Sequence, residues 1–133
     1  MEIVIKRSTA IIIGSLIFLF GIGCLAFLVS HNLEINKTIE NIHNNYTDMN
    51  ISLKTMSAQL GANPAYLGRQ FKVETNEFFN DYLNRIRIDA AQELLKTTDK
   101  KINEVAMMVG YTSATYFCKM FKKLVGLNPG DVR

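Results

Sequence analysis

The chain has 133 residues, 48% hydrophobic and 20% charged, with a formal net charge of +3. That length accommodates one ordinary domain and a short appendage, which excludes a multidomain enzyme. A balance this mildly basic does not by itself establish a nucleic-acid partner, so such a reading rests on where the cations sit along the elements.

Residues 1–7 form a short flank ending in Lys6-Arg7, and from Ser8 to Ser30 there follow 23 residues without a charge. A helix of that length measures roughly 34 Å at ~1.5 Å per residue, enough to cross a hydrocarbon core of ~30 Å. The pattern predicts one transmembrane helix over 8–30, with the lipid bilayer as its partner. A secretory signal competes, because Lys6 and Arg7 make a positive n-region. The run is longer than a usual h-region, however, and has no clear small-x-small cleavage site near Ser30. Gly21-Ile22-Gly23-Cys24 lacks the Leu expected of a lipoprotein box. Burial in a soluble core is disfavoured, since about a hundred residues offer little surface to wrap a helix apolar on all sides. Residues 31–36 read as a linker with no room for a sensory domain. The positive-inside tendency alone would send the C-terminal part outside. The chemistry of that part, described next, argues for the opposite: a single-pass protein of the cell membrane with its C-terminal domain in the cytoplasm.

From 37 to 133 the pattern is that of a soluble all-α domain without strands. Ile35, Ile39, Ile42 and Tyr46 form an apolar stripe closed by Asn44-Asn45, and Ser52 caps the next helix. Two segments then read alike, which is the mark of a repeated unit. Met56-Ser57-Ala58-Gln59-Leu60-Gly61 precedes Tyr66-Leu67-Gly68-Arg69-Gln70-Phe71-Lys72. Val105-Ala106-Met107-Met108-Val109-Gly110 precedes Tyr116-Phe117-Cys118-Lys119-Met120-Phe121-Lys122. In each copy a small residue (Ser57, Ala106) four before a glycine (Gly61, Gly110) lets two helices cross closely and supplies the positive φ of a tight turn. Each copy is therefore predicted to be a helix-turn-helix. Its second helix is capped by Asn63 with Pro64 in one copy and by Thr112 or Ser113 in the other.

Along these second helices Leu67 with Phe71, and Phe117 with Phe121, are i, i+4 pairs facing the core. The opposite faces carry Ala65, Gly68, Arg69 and Lys72 in the first copy, and Ala114, Thr115, Cys118, Lys119 and Lys122 in the second. Charged helix faces are usually only solvated. Here cations recur at the same phase in both copies, three residues apart, on the helix a helix-turn-helix inserts in the major groove. Between the copies Phe79, Tyr82, Leu83, Ile86, Ala90, Ala91, Leu94 and Leu95 keep a helical period, which predicts one long linking helix. A last helix begins at Asn128-Pro129, for seven helices after the span.

These residues resemble the DNA-binding domain of the AraC/XylS family of bacterial transcription regulators. The resemblance is carried by Tyr66-Leu67, Arg69 and Phe71-Lys72, by Arg87-Ile88, Ala91 and Leu94-Leu95, by Val109-Gly110-Tyr111, Tyr116-Phe117 and Phe121-Lys122, and by Gly126, Pro129 and Arg133. It covers about Ile39 to Arg133. It implies two helix-turn-helix units bridged by a rigid helix, each placing a recognition helix in successive major grooves of double-stranded DNA. Gly68 and Cys118 stand where the family often has Ser, Asn76 where Gly is usual, and Ser57 where Ala is usual.

The expected function is thus a membrane-anchored, sequence-specific transcription regulator, with RNA polymerase as the further partner such a protein would contact. Arg69 and Lys119 are the candidates for guanine contact, and Lys72, Lys122 and Lys123 for phosphates. Ala65, Ala114 and Thr115 are candidates for thymine methyls, while Gly68 offers almost nothing of its own. Asn63 and Ser113 complete the interface at the helix starts. The alternative is a truncated relative of a membrane sensor-regulator, acting as an inert or protein-interaction module. An enzyme is not expected, since His31 and His43 stand alone and no phosphate loop or nucleophile-base motif occurs. Cys24 and Cys118 offer no metal spacing. No cofactor and no small-molecule pocket are expected.

Overall fold

The computed structural model describes the backbone of residues 2–133 and the side chains of 18–30 and 32–133. Six helices follow one another: α1 (Glu2–Asn45), α2 (Leu53–Leu60), α3 (Pro64–Thr75), α4 (Phe79–Thr97), α5 (Ile102–Met108) and α6 (Ala114–Val125). A single 3-10 turn at Pro129–Asp131 follows α6. No strand occurs among the described residues. Two compact units result, residues 1–36 and 37–133.

In the first unit the described side chains from Phe18 to Ser30 are exposed, Phe18 and Phe20 among them. The linker expected at 31–36 is helical instead. The sequence His31-Asn32-Leu33-Glu34-Ile35-Asn36 contains neither Gly nor Pro, so nothing in it outweighs propagation of a helix already nucleated. The element expected to begin at Asn128-Pro129 is present as one 3-10 turn, with Asn128 as its N-cap.

In the second unit the helix ends follow local chemistry. Ser52 Oγ accepts from the Thr55 amide at 3.1 Å, and Thr55 Oγ1 accepts from the Ser52 amide at 3.0 Å, a reciprocal cap for α2. Asn63 Oδ1 accepts from the Ala65 and Tyr66 amides and opens α3 in front of Pro64. Ser113 Oγ accepts from the Tyr116 amide and opens α6. Asn76 closes α3 in the left-handed conformation, φ 60°. Asn is the residue that best replaces Gly there.

Helix α4 is shared, with α3 packed against one part of it and α5 and α6 against another. Around the first motif Phe71 meets Phe79 and Tyr82 edge-on, at centroid distances of 5.6 and 5.3 Å. Leu67 and Met56 are buried beside them, and Ile42 of α1 is buried as well. Around the second, Ile88, Leu95, Val105, Val109, Phe117 and Phe121 form a continuous apolar cluster. Burial of each such side chain stabilises the fold by about 1.5–3 kcal/mol. The buried stripe of α4 differs from the expected one. Phe79, Leu83, Ala91 and Leu95 are buried as expected, but Asn84, Arg87 and Ile88 join them while Ile86, Ala90 and Leu94 are only half-buried.

Candidate nucleic-acid interface

In the first motif α3 begins with the Asn63 cap, which commits the Asn63 side-chain Oδ1 to two backbone amides. Beyond it Ala65 and Arg69 are exposed, and Gly68 and Lys72 half-buried. All four line an open trough of about 700 Å³ together with Leu53 of α2 and Phe78. Lys72 does not reach freely outward: its Nζ donates to the Asn76 carbonyl at 2.7 Å and lies 4.7 Å from the centroid of the Phe78 ring. The charge thereby sits at the C-terminus of α3, where the helix dipole favours a cation.

In the second motif the Ser113 cap is exposed, Ala114 half-buried, and Thr115 and Lys119 exposed. Lys122 and Lys123 are exposed in the last turn of α6. Cys118 is half-buried and packs against the apolar cluster, so its sulfur sits at the edge of the core. The structure thus places ten of the twelve sequence-predicted residues on two helices and the other two, Asn63 and Ser113, at their N-caps. Within them it separates Ala65, Arg69, Thr115, Lys119, Lys122 and Lys123, which face solvent, from Cys118 and Lys72, which are engaged with the protein itself.

A buried polar network also lies behind the two faces. Arg87 in the middle of α4 is only 7% exposed. Its Nε donates to the Tyr46 carbonyl at 2.7 Å and a terminal nitrogen to the Asp48 carbonyl at 2.8 Å. Its guanidinium lies 5.5 Å from the centroid of the Tyr111 ring, in the turn of the second motif. Burial lowers its pKa, with Tyr111 and Asp48 opposing. The Tyr111 hydroxyl donates to Asn84 Oδ1 at 2.7 Å in a buried pair. Burial pushes that hydroxyl's pKa well up, and Arg87 pulls the other way. Arg87 therefore joins the segment after α1, the linking helix and the second turn through bonds a side chain of fixed fork geometry can make. Four after Leu83 and four before Ala91, it shares their buried face of α4, a phase that places the residue but not its partners.

Two helix pairs, each with a capped second helix presenting solvent-facing cations and small residues, define a tandem helix-turn-helix domain. A helix-turn-helix domain family matches residues 56–133, more than half of the chain. The chain is 37% identical over 102 residues to the transcriptional regulatory protein YesN of Bacillus subtilis, covering 74% of this chain and 28% of YesN. Over 99 residues it is 31% identical to a helix-turn-helix transcriptional regulator in the cgkA 5′ region of Pseudoalteromonas carrageenovora, covering 74% of this chain and 58% of that protein. It thus spans less than two thirds of these curated relatives. Among solved structures, the C-terminal domain of AraT, a response regulator from Geobacillus stearothermophilus, superposes with a TM-score of 0.73 at 32% identity, over 75% of this chain and 83% of that one. The DNA-binding domain of AdpA, solved in complex with a target DNA, shares the fold, with a TM-score of 0.68 at 22% identity over 73% of this chain and 86% of that one. The chain belongs to the AraC/XylS family of helix-turn-helix transcription regulators.

Proposed function

We propose that this chain is a sequence-specific DNA-binding transcription regulator that reads two successive major grooves with α3 and α6. The observation that carries the reading is the duplicated face: at the same phase of both helices a small residue and a cation look outward, Ala65 with Arg69 and Thr115 with Lys119. Base edges are read from the N-terminal halves of these helices, while Lys122 and Lys123 position the duplex through phosphates. The AdpA domain binds DNA in its own complex, which supports the same use here.

We further propose that residues 8–30 anchor the protein in the cell membrane, with the C-terminal domain in the cytoplasm. Support comes from length and composition, because residues 8–30 run for 23 positions without a charge, and the side chains described from Phe18 to Ser30 are exposed. A C-terminal reporter active only in the cytoplasm should give signal; activity of an externally active reporter instead would end the regulator reading.

DNA binding is tested with the full chain in a mild detergent and a duplex library with a randomised core. Log K should fall with log salt by about 0.9 per phosphate neutralised. Lys122→Ala should weaken all sequences alike and flatten that slope, whereas Lys119→Ala should cost ~1–3 kcal/mol at one base position. A library that yields no enriched sequence refutes sequence-specific binding.

A further inference from the structure

The trough along the outward face of α3 has a floor unlike that of a polar recognition helix. At Gly68 an added Cβ would lie 2.8 Å from Leu53 Cδ2, so the Leu53 methyl leans into the space a side chain at that position would take. Ala65 one turn earlier leaves the same surface uncovered, and Val73 continues it. Its rim carries the exposed cation of Arg69, the Lys72 ammonium is tied to the Asn76 carbonyl at the C-terminal end, and no carboxylate residue lines the trough. An apolar floor of this kind under a cationic rim is complementary to a polyanion that carries apolar groups on the surface it presents. In duplex DNA the major groove offers that combination in the 5-methyl group of thymine between two phosphate backbones.

We propose that the first helix-turn-helix unit recognises its box through thymine methyl groups, received in the hollow formed by Ala65, Gly68 and Leu53. This rests on the DNA-reading proposal and specifies how its first half is read. Gly68, which brings no side chain of its own, is a specificity-determining residue because it uncovers Leu53. Arg69 at the rim supplies the polar contact that fixes the register. The unit therefore distinguishes thymine from cytosine and uracil by shape and desolvation more than by hydrogen bonds.

The test uses the full chain in mild detergent and a duplex selected by it from the randomised library. Single thymines of that duplex are replaced in turn by deoxyuridine, which deletes the methyl group and leaves the pairing edge intact. Each contacted methyl should be worth about fourfold in affinity, as expected for roughly one buried carbon. Sensitive positions should cluster in one box. Gly68→Gln fills the hollow with an amide and should abolish sensitivity in that box while leaving the other box unchanged. The displaced Leu53 atom is the far end of a flexible side chain and the substitution raises helix propensity, so folding should survive. Ala65→Ser, a smaller change at an exposed position, should reduce the same sensitivity and serves as the second variant. Uniform indifference to deoxyuridine, or a sensitivity that both variants leave intact, overturns the inference. Failure of the library to yield any preferred sequence overturns the DNA reading itself, which separates the two outcomes.

Discussion

The two helix-turn-helix units share a backbone pattern and differ in how the turn of each is held. Gly61 in the first turn has φ 65°, and a Cβ added there would meet nothing within 4 Å. Gly110 in the second has φ 97°, and a Cβ there would lie 2.6 Å from the Tyr46 carbonyl oxygen and 2.9 Å from Arg87 Nε. The first turn needs glycine for conformation alone. The second needs it also because other segments of the domain press against it. The faces differ in the same sense, with an apolar trough on α3 and freely exposed lysines at the end of α6. A sequence repeat therefore specifies local geometry twice, while the tolerance of each copy is decided by what packs around it.

The largest expected effect breaks that comparison directly. Gly110→Ala adds the strain of a left-handed non-glycine residue to a clash with backbone, and it displaces the guanidinium of Arg87. A loss of about 4 kcal/mol is expected. Gly61→Ala carries the conformational strain alone, about 1 kcal/mol. Urea unfolding of the two full-length variants in detergent, followed by circular dichroism, checks the difference. Equal losses would mean that the contacts around Gly110 relax without resistance.

A second, smaller contrast lies between two arginines on α4. Arg87 is buried on the carbonyls of Tyr46 and Asp48, whereas Arg85 makes a surface ion pair with Glu77 at 3.2 Å. Arg87→Met leaves two carbonyls without their donor and should cost about 2 kcal/mol. Arg85→Met removes a solvated pair and should change stability by about 0.5 kcal/mol or less. The same unfolding measurement applies, and the comparison fails if Arg85 matters as much as Arg87.

These contrasts also mark which features are legible in the sequence. The caps at Ser52, Asn63 and Ser113, the left-handed Asn76 and the two turn glycines depend on residues within a few positions, so their chemistry can be read locally. The paired core residues of α3 and α6 follow from helical period for the same reason. Arg87 is different, because the Tyr46 carbonyl that holds it lies 41 residues away in the chain. The Asn84 partner of Tyr111 is 27 residues distant. A periodicity that counts apolar side chains passes over both. Within the candidate site, the exposure of Arg69, Lys119, Lys122 and Lys123 follows from helix phase. Lys72 turned back onto Asn76 and Cys118 packed on the core do not, since phase assigns a face but not the direction a long or small side chain takes within it.

The smallest expected effect concerns Tyr111, the point at which Arg87, α4 and the second turn meet. The first turn has no counterpart, since Ala62 follows Gly61 there. Burial raises the Tyr111 pKa above the ordinary value of about 10. The folded state thus holds the proton more tightly than the unfolded one. The stability this contributes is fully present below about pH 10 and is lost as pH rises beyond it, with a limiting slope of about 1.4 kcal/mol per pH unit for one group. Arg87 keeps its charge in both states through that window, so its lowered pKa adds nothing to the slope. Tyr111→Phe removes the hydroxyl and leaves Asn84 Oδ1 without its donor, which should cost about 1 kcal/mol at neutral pH. The variant should then lose less than the parent between pH 9 and pH 11, because one group that binds a proton more tightly when folded is gone. Urea midpoints of both proteins at pH 7, 9 and 11 make the comparison; parallel decline in the two would show that Tyr111 titrates no differently in the fold than in the unfolded chain.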